Sequence, residues 1–354
     1  MLGRLGAIGA GVLTSAAMVV SLPVVASADP QSAGYQQHNL VSDQPGQATL
    51  TIPNFVNTWG LSHGPNTPVW VSNQGASNAL LFNGAVNGSP VAQVSSVVVS
   101  IPGGQPTGQT FNDTTAFNVP GTTTPAHFIF AGVGGAISSW ASGSQSVISG
   151  QDPGAIYTGL TLDHSPFGPV LLAADFHDNR IDVYDGQFKL QSSAGLFEDP
   201  HLPQGYAPFN VAEIGGKIYV TYAVQDANKV FDVPGQGHGI VDVYSNTGAL
   251  LHRVATHGIL NSPWGLTIAP ANFGKFSNDL LIGNFGDGRI HAYDPQTGHP
   301  LGALTDPTGK PLAIDGLWSL LPGDPVAGGP DTLWFSAGPG EHHEHGLLGT
   351  LTAN

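Results

Sequence analysis

Short apolar runs, separated by turns rich in glycine and aspartate, recur along the chain from about residue 35 to the end. In the clearest unit, apolar runs cover 263–268, 279–285 and 289–294, and a more polar run covers 299–304. A Gly-Asp-Gly turn and a Pro-Gln-Thr-Gly turn separate the last three runs. Runs of this length with such turns predict four antiparallel strands, which we call A to D in chain order.

The same four-strand unit recurs six times. Strand A is predicted near Trp59, Phe111, Thr158, Phe209, Trp264 and Trp318. Strand B is predicted over 69–72, 127–131, 170–174, 217–221, 279–283 and 332–336. Strand C ends in an aromatic residue at Phe82, Trp140, Tyr184, Tyr244 and Tyr293. Repeats of roughly 45 to 60 residues with four strands each are typical of β-propeller blades, so we predict an all-β, six-bladed propeller rather than an irregular β-sandwich.

The two ends of the repeat array complement each other. The sixth unit runs out of chain after its strand C, at 346–351, whereas a spare strand-like segment precedes the first unit at 35–41. Pairing these two segments would remove an exposed sheet edge. We therefore predict that the N-terminal strand closes the ring as the outermost strand of blade six.

Composition agrees with many short strands in one domain. Glycine (49) and proline (28) are abundant, which favours strands and tight turns over helices. The chain has no cysteine, so the fold rests on its apolar core. Acidic residues outnumber basic residues by 24 to 9, which argues against nucleic acid and anionic membranes as partners.

The N-terminus resembles a secretory signal peptide. Arg4 precedes an uncharged apolar stretch over 5–25, and Ala-Ser-Ala at 26–28 fits a cleavage site. The alternative is a membrane anchor, although glycines and Pro23 interrupt the apolar stretch. We expect a signal peptide over 1–28, a single propeller domain over 29–354, and a secreted monomer without a membrane anchor after cleavage.

Several short sequence motifs along the repeats resemble those of a known protein family. They are Asn-Leu-Val-Ser-Asp (39–43), Asn-Thr-Trp-Gly-Leu (57–61), Thr-Gly-Gln-Thr-Phe-Asn (107–112), Ala-Asp-Phe-His (174–177), Gly-Tyr-Ala-Pro-Phe-Asn (205–210), Asn-Ser-Pro-Trp-Gly-Leu (261–266) and Gly-Asn-Phe-Gly-Asp-Gly (283–288). The chain thereby resembles a family of secreted bacterial propellers that is distantly similar to NHL-repeat propellers. Some members end in a Pro-Glu-Pro-type sorting tail, which residues 351–354 do not resemble, so a released protein is expected. The resemblance implies a fold and a location, but no reaction.

Polar residues cluster at two equivalent points of the repeat, before strand A and after strand B. In a propeller, both points lie on one face around the mouth of the central channel, where ligands bind preferentially. The predicted ligand-binding residues are Asn57, Asn112, Asp175, His177, Asn210, Asn261, Asn284 and Asp315. The alternative is that these amides and carboxylates only cap turns at strand ends.

A cluster of potential metal ligands lies in the sixth unit, at 341–345 (Glu-His-His-Glu-His). Imidazole and carboxylate groups suit Zn²⁺ or Cu²⁺, and carboxylates suit Ca²⁺. The family resemblance includes Gly338-Pro339 and His345-Gly346-Leu347, which singles out His345 together with Glu341 or Glu344. The alternative is a solvated loop without a bound cation.

Two further features bear on the mouth. The polar segment 225–232 interrupts the fourth unit between strands B and C, and its length suggests a lid over the channel. Trp59, Trp264 and Trp318 share one position in strand A. They are interpreted as a packing layer, with a stacking platform for carbohydrate as the alternative.

Two functions remain open from the sequence. The first is a secreted, non-catalytic propeller that binds a small molecule, a carbohydrate or a protein at the channel mouth. The second is a metal-assisted hydrolase or lyase of the kind that propeller lactonases exemplify, with His345 or His177 as the base. The sequence contains no Gly-x-Ser-x-Gly elbow, no His-Glu-x-x-His helix and no P-loop, so it does not decide whether the protein is an enzyme.

Overall fold

A computed structural model of the chain describes residues 34–354, together with Gly3. Apart from Gly3, the predicted signal peptide over 1–28 lies outside the described residues, and so does its predicted cleavage site. Within the described part, no helix is both long and apolar enough to cross a membrane.

The described residues form 25 strands and two short 3-10 turns, at Gln74–Ala76 and Gly274–Phe276. The chain begins with β1 (Tyr35–Ser42) and β2 (Leu50–Thr51). Blade one contains β3 (Thr58–Ser62), β4 (Val69–Asn73), β5 (Asn78–Asn83) and β6 (Ala92–Ser100). Blade two contains β7 (Pro106–Phe111), β8 (Phe128–Gly132), β9 (Ala136–Trp140) and β10 (Val147–Gln151). Blade three contains β11 (Tyr157–Ser165), β12 (Gly168–Asp175), β13 (Arg180–Tyr184) and β14 (Leu190–Gln191).

The second half repeats the pattern. Blade four contains β15 (Tyr206–Ile214), β16 (Lys217–Val224), β17 (Ile240–Ser245) and β18 (Leu250–Thr256). Blade five contains β19 (Pro263–Ile268), β20 (Leu280–Asn284), β21 (Ile290–Tyr293) and β22 (Pro300–Ala303). Blade six contains β23 (Leu317–Pro322), β24 (Thr332–Ala337) and β25 (Leu347–Ala353), and β1 and β2 join it. The first strands of the six blades contact one another in a ring around the central channel. The six-bladed propeller predicted from the repeats is confirmed.

The N-terminal strand closes the ring, as predicted. β1 pairs antiparallel with β25, from Tyr35 opposite Ala353 to Ser42 opposite Leu347. The Tyr35 side chain is buried, and its hydroxyl donates a hydrogen bond to the Phe273 carbonyl at 3.1 Å. One detail differs from the prediction: β2 pairs parallel with β1, so two further residues, and not β1 itself, form the outer edge of blade six.

The first strands of neighbouring blades approach one another at glycines. These glycines occupy one position of the repeat and are Gly60, Gly108, Gly159 and Gly265. A Cβ atom added to Gly108 would lie 2.6 Å from the carbonyl carbon of Gly159 in the next blade, which is closer than real Cβ contacts come. The recurring Thr-Gly and Trp-Gly pairs therefore mark the places where backbone packs against backbone around the channel.

Blade two corrects one part of the sequence prediction. Its first strand is β7, so Phe111 and Asn112 lie at the end of strand A and not at its start. The Asn112 amide group donates to the Ala126 carbonyl at 2.8 Å, and its oxygen accepts from the Thr114 backbone N–H at 3.0 Å. Asn112 therefore stabilises a turn on the face opposite the predicted mouth, and the prediction that it lies at the mouth is wrong.

Candidate functional site

The centre of the channel is filled by a cluster of aromatic residues from five blades, which we call the aromatic plug. The plug consists of Trp59, Phe176, Phe209, Trp264, Phe285 and Trp318, with Ala207 and Ala223. Trp59 stacks on Trp318 with ring centroids 3.6 Å apart, and Phe285 stacks on the same ring at 3.9 Å. Trp264 meets both tryptophans edge-on. The three tryptophans thus form a packing layer, as predicted, and this layer lies across the channel.

A cavity of about 490 Å³ opens on the side where the first strands begin, which is the predicted mouth. Four aromatic residues of the plug line it: Trp59, Phe209, Phe285 and Trp318. Segment 230–232 and segment 342–344 line it too. The first of these segments ends the loop that was predicted to be a lid. We call this space the mouth cavity.

Asp232 is the carboxylate of the lid loop that lines the mouth cavity. Its Oδ2 atom is buried and makes no hydrogen bond of good geometry, and the same is true of the neighbouring Ser262 hydroxyl. Burial raises the pKa of Asp232, and the nearby Ser262 hydroxyl and His343 oppose that increase. A buried carboxylate without a partner is costly, and such groups are more common at functional sites than elsewhere.

Trp59, which lines the mouth cavity, has a hydrogen-bond donor without a partner. The indole Nε1 of Trp59 is buried and has no acceptor. In contrast, the indole N–H of Trp318 donates to the Asn57 Oδ1 atom at 2.8 Å. Because buried polar groups are nearly always paired, the Trp59 donor and the Asp232 acceptor are unusual features of residues that line the cavity.

The rim of the mouth cavity contains His343 and Glu344. His343 Nδ1 lies 2.8 Å from the Gly338 carbonyl, which only accepts, so Nδ1 holds the proton of the neutral ring. The His343 ring packs 4.9 Å from the ring of Phe285. Hydrogen bonds from backbone N–H groups, among them that of His342, hold the pKa of Glu344 below its usual range. Glu344 is therefore ionised at neutral pH.

Of the eight predicted ligand-binding residues, Asn57 is the one that lines the mouth cavity. Its Nδ2 group donates to Gln74 Oε1 at 3.1 Å, and its Oδ1 accepts from Trp318. Its backbone lies in the left-handed region with φ 45°, where asparagine is favoured over most residues. Asn57 therefore holds the plug and the rim together.

Asp175 and His177 stabilise neighbouring loops. Asp175 is fully buried, and its Oδ1 accepts from the backbone N–H groups of Ile156 and His177, each at 3.1 Å. Burial raises the pKa of Asp175 to about 6, although the backbone N–H groups of Ile156 and Asp178 and the charge of Arg180, 3.2 Å from its Oδ2, act against the increase. His177 Nδ1 donates to the Lys229 carbonyl at 3.2 Å, which ties blade three to the lid loop.

The other four predicted residues likewise bond to backbone. Asn210 donates to the Trp264 carbonyl at 2.8 Å, and Asn284 donates to the Ile259 carbonyl at 2.8 Å. Asn261 Oδ1 accepts from the Gly235 N–H at 2.6 Å. Asp315 Oδ2 accepts from the Gly340 N–H at 3.0 Å. For these residues the alternative interpretation, that amides and carboxylates cap turns, describes the contacts.

The three predicted metal ligands do not point at one centre. His345 Nδ1 lies 2.8 Å from Asp43 Oδ2, and Asp43 also accepts from the Gly346 N–H, so His345 is tied to the segment that follows β1. Glu341 is exposed, and Glu344 lines the mouth cavity. Among residues 34–354, no group of three or more His, Asp or Glu side chains is arranged to hold a metal ion. Binding of a divalent cation stays a prediction.

The opposite end of the channel is more polar. A cavity of about 370 Å³ there is lined by residues that include Ser62, Gln109, His164 and Glu213. Asp163 is buried next to this opening; burial and Glu213 raise its pKa to about 6, while His164 lowers it. Because the aromatic plug lies between the two openings, the mouth cavity is blind and not part of a continuous pore.

Fold and site together define the class: a six-bladed β-propeller with a plugged channel and one aromatic, acidic mouth cavity. The chain is 32% identical over 304 residues to uncharacterised protein R648 of Acanthamoeba polyphaga mimivirus, covering 80% of this chain and 72% of that protein. It belongs to the family of that protein. It is also 34% identical over 202 residues to uncharacterised protein L690 of the same virus, of which it spans 51%. No family model matches the chain.

Solved structures show the same fold at low identity. Virginiamycin B lyase from Staphylococcus aureus superimposes with a TM-score of 0.50 and 12% identity, over 90% of this chain and 98% of that chain. A Bacteroides thetaiotaomicron protein of unknown function superimposes with a TM-score of 0.53 and 13% identity, over 90% of this chain and 76% of that chain. The predicted likeness to NHL-type propellers is confirmed at the level of fold. The two sequence relatives are viral proteins, and a bacterial, secreted origin stays a prediction.

Proposed function

We propose that the protein is a non-catalytic binding propeller that captures one small organic molecule in its mouth cavity. One observation carries the proposal: the cavity is blind, ends on the aromatic plug, and is lined by two residues with a buried polar atom that makes no hydrogen bond of good geometry, Trp59 with Nε1 and Asp232 with Oδ2. Ligand pockets are typically concave, largely apolar and equipped with a few convergent polar groups. We further propose, from the N-terminal sequence, that the protein acts outside the cell.

The size and charge of the cavity restrict the ligand. About 490 Å³ lies within the usual range of roughly 300 to 1,000 Å³ for small-molecule pockets. No lysine or arginine is among the described residues that line the cavity, whereas Asp232 and Glu344 are. A small anion would meet like charge there, so the ligand is neutral or cationic.

Binding is favoured over catalysis because no activated nucleophile is in place. Thr158 is the one residue with a hydroxyl group among the described residues that line the cavity, and this hydroxyl donates to the Ala174 carbonyl at 3.4 Å. His343 is bonded to the Gly338 carbonyl and not to a hydroxyl group. A nucleophile normally needs a base within hydrogen-bond reach.

The proposal is tested by blocking the mouth. We expect at least one of choline, N-acetylglucosamine, benzamide and benzyl alcohol to bind the protein in isothermal titration calorimetry. Val230→Trp, at a residue that lines the cavity, should weaken that binding at least about tenfold, because a large side chain fills the space. Val326→Trp is the matched control, because Val326 is similarly exposed and lies outside the cavity. Binding of none of the four, or equal binding by both variants, would contradict the proposal.

A further inference from the structure

We propose that the molecule taken by the mouth cavity is an organic cation that also has an oxygen acceptor, of the chemical class of amino alcohols and trimethylammonium alcohols. The inference rests on the proposed function, because it names the ligand class of the same site. It is carried by three kinds of group that meet there: two carboxylates, several aromatic rings and one indole N–H.

The first argument is charge. Asp232 lies in the wall of the cavity and Glu344 at its rim, and lysine and arginine are absent from the described lining. The chain as a whole has a formal net charge of −15. Such a field attracts cations and repels anions as they approach the mouth. A cation would therefore be favoured both on approach and once bound.

The second argument concerns the buried oxygen of Asp232. Oδ2 makes no hydrogen bond of good geometry, and burial raises the pKa of this carboxyl group. An opposite charge nearby would favour the ionised form and so compensate for the loss of hydration. Three interactions already oppose the increase: a contact with the Ser262 hydroxyl, a hydrogen bond with the backbone of Asp232 itself and the electrostatic effect of His343. A cation in the cavity would add the counter-charge that the lining, which has no lysine or arginine among the described residues, does not supply.

The third argument is the aromatic wall. The faces of Trp and Phe rings carry partial negative charge and attract alkylammonium groups, which bind poorly to purely aliphatic surfaces. Trp59, Phe285 and Trp318 line the floor. Phe231, on the lid loop, also lines the cavity and is 70% exposed without a ligand. A methylated ammonium group suits this surface, because its apolar methyl groups and its charge are both accommodated.

The oxygen acceptor follows from Trp59. Its indole N–H is buried within the plug and has no partner, and an indole N–H is a donor only. A hydroxyl or ether oxygen on the ligand would accept from it. A neutral sugar would also supply acceptors and donors, but it would leave the two carboxylates without a counter-charge. The cation is therefore the better match, and the neutral ligand is the alternative outcome of the test.

Choline and its uncharged isostere 3,3-dimethylbutan-1-ol provide the test, because they share shape and hydroxyl group and differ in charge. We expect the wild-type protein to bind choline at least about tenfold more tightly than the isostere in calorimetry. Asp232→Asn should reduce this preference to about threefold or less and leave the affinity for the isostere unchanged. Glu344→Gln should reduce the preference in part. Glu341→Gln is the control, since Glu341 is exposed and does not line the cavity.

A third ligand makes the test independent of whether Asp232→Asn folds. Tetramethylammonium lacks the oxygen, so it should bind more weakly than choline to the wild-type protein. Equal affinities for choline and the isostere would contradict the inference that the ligand is a cation. Failure of choline to bind would contradict it as well. If another molecule still binds and Val230→Trp blocks it, the mouth cavity remains the binding site and only the ligand class is wrong.

Discussion

A chain that begins at residue 45 should melt at least about 10 °C below a chain that begins at residue 34. The longer chain keeps β1, whereas the shorter one exposes the edge of β25 along its whole length. It also loses the buried side chains of Tyr35 and Val41 from the core of blade six and its neighbours. Burial of each such side chain contributes about 1.5 to 3 kcal/mol. Circular dichroism against temperature measures the difference.

The chain that begins at residue 34 is also the control for truncation as such. It should melt within about 2 °C of a chain that begins at residue 29. If the chain that begins at residue 45 melts at the same temperature as these two, closure by β1 does not stabilise the ring. In that case the ring would be held by contacts between blades alone.

Gly108→Ala should destabilise the protein by about 3 kcal/mol or more, or prevent it from folding. The added Cβ would overlap the backbone of Leu160 and Gly159 in the neighbouring blade, and backbone cannot move aside as a flexible side chain can. Gly154→Ala is the control. Gly154 is exposed, and the nearest atom to an added Cβ is 3.6 Å away. Urea unfolding measures both, and a loss below about 1 kcal/mol for Gly108→Ala would contradict the close approach of the first strands.

The fold was predictable because a propeller repeats one local pattern. Strands B and C are short apolar runs, and strand C ends in an aromatic residue in five blades, so their positions follow from the sequence. The start of strand A in blade two could not be predicted in the same way, because Phe111-Asn112 resembles Phe209-Asn210, which does lie in strand A of blade four. The true counterpart of Trp59-Gly60 is Thr107-Gly108, where the glycine is required by a backbone in another blade. That requirement becomes visible only when the neighbouring blade is in place.

The site was predictable in part. The face, the lid loop and Asn57 were identified, because loops at equivalent points of a repeat meet at one end of the channel. Most of the other predicted residues bond to backbone, since asparagine and aspartate at strand ends suit both turns and ligands. Asp232 was missed as a site residue. Its burial depends on how the lid loop packs near Ser262 and His343, and no local pattern of residues indicates that.

The central claim is that the mouth cavity is where a small molecule binds. The most direct measurement is a heteronuclear NMR spectrum of the six tryptophan indole N–H groups during titration with choline chloride, at constant ionic strength. The signals of Trp59 and Trp318, which line the cavity, should move in a saturable way. Those of Trp140 and Trp334, which donate to carbonyls outside the cavity, should stay in place. Movement of Trp140 or Trp334 while Trp59 and Trp318 stay unchanged would contradict the account, and so would the absence of any movement both with choline and with every other ligand of the calorimetric test.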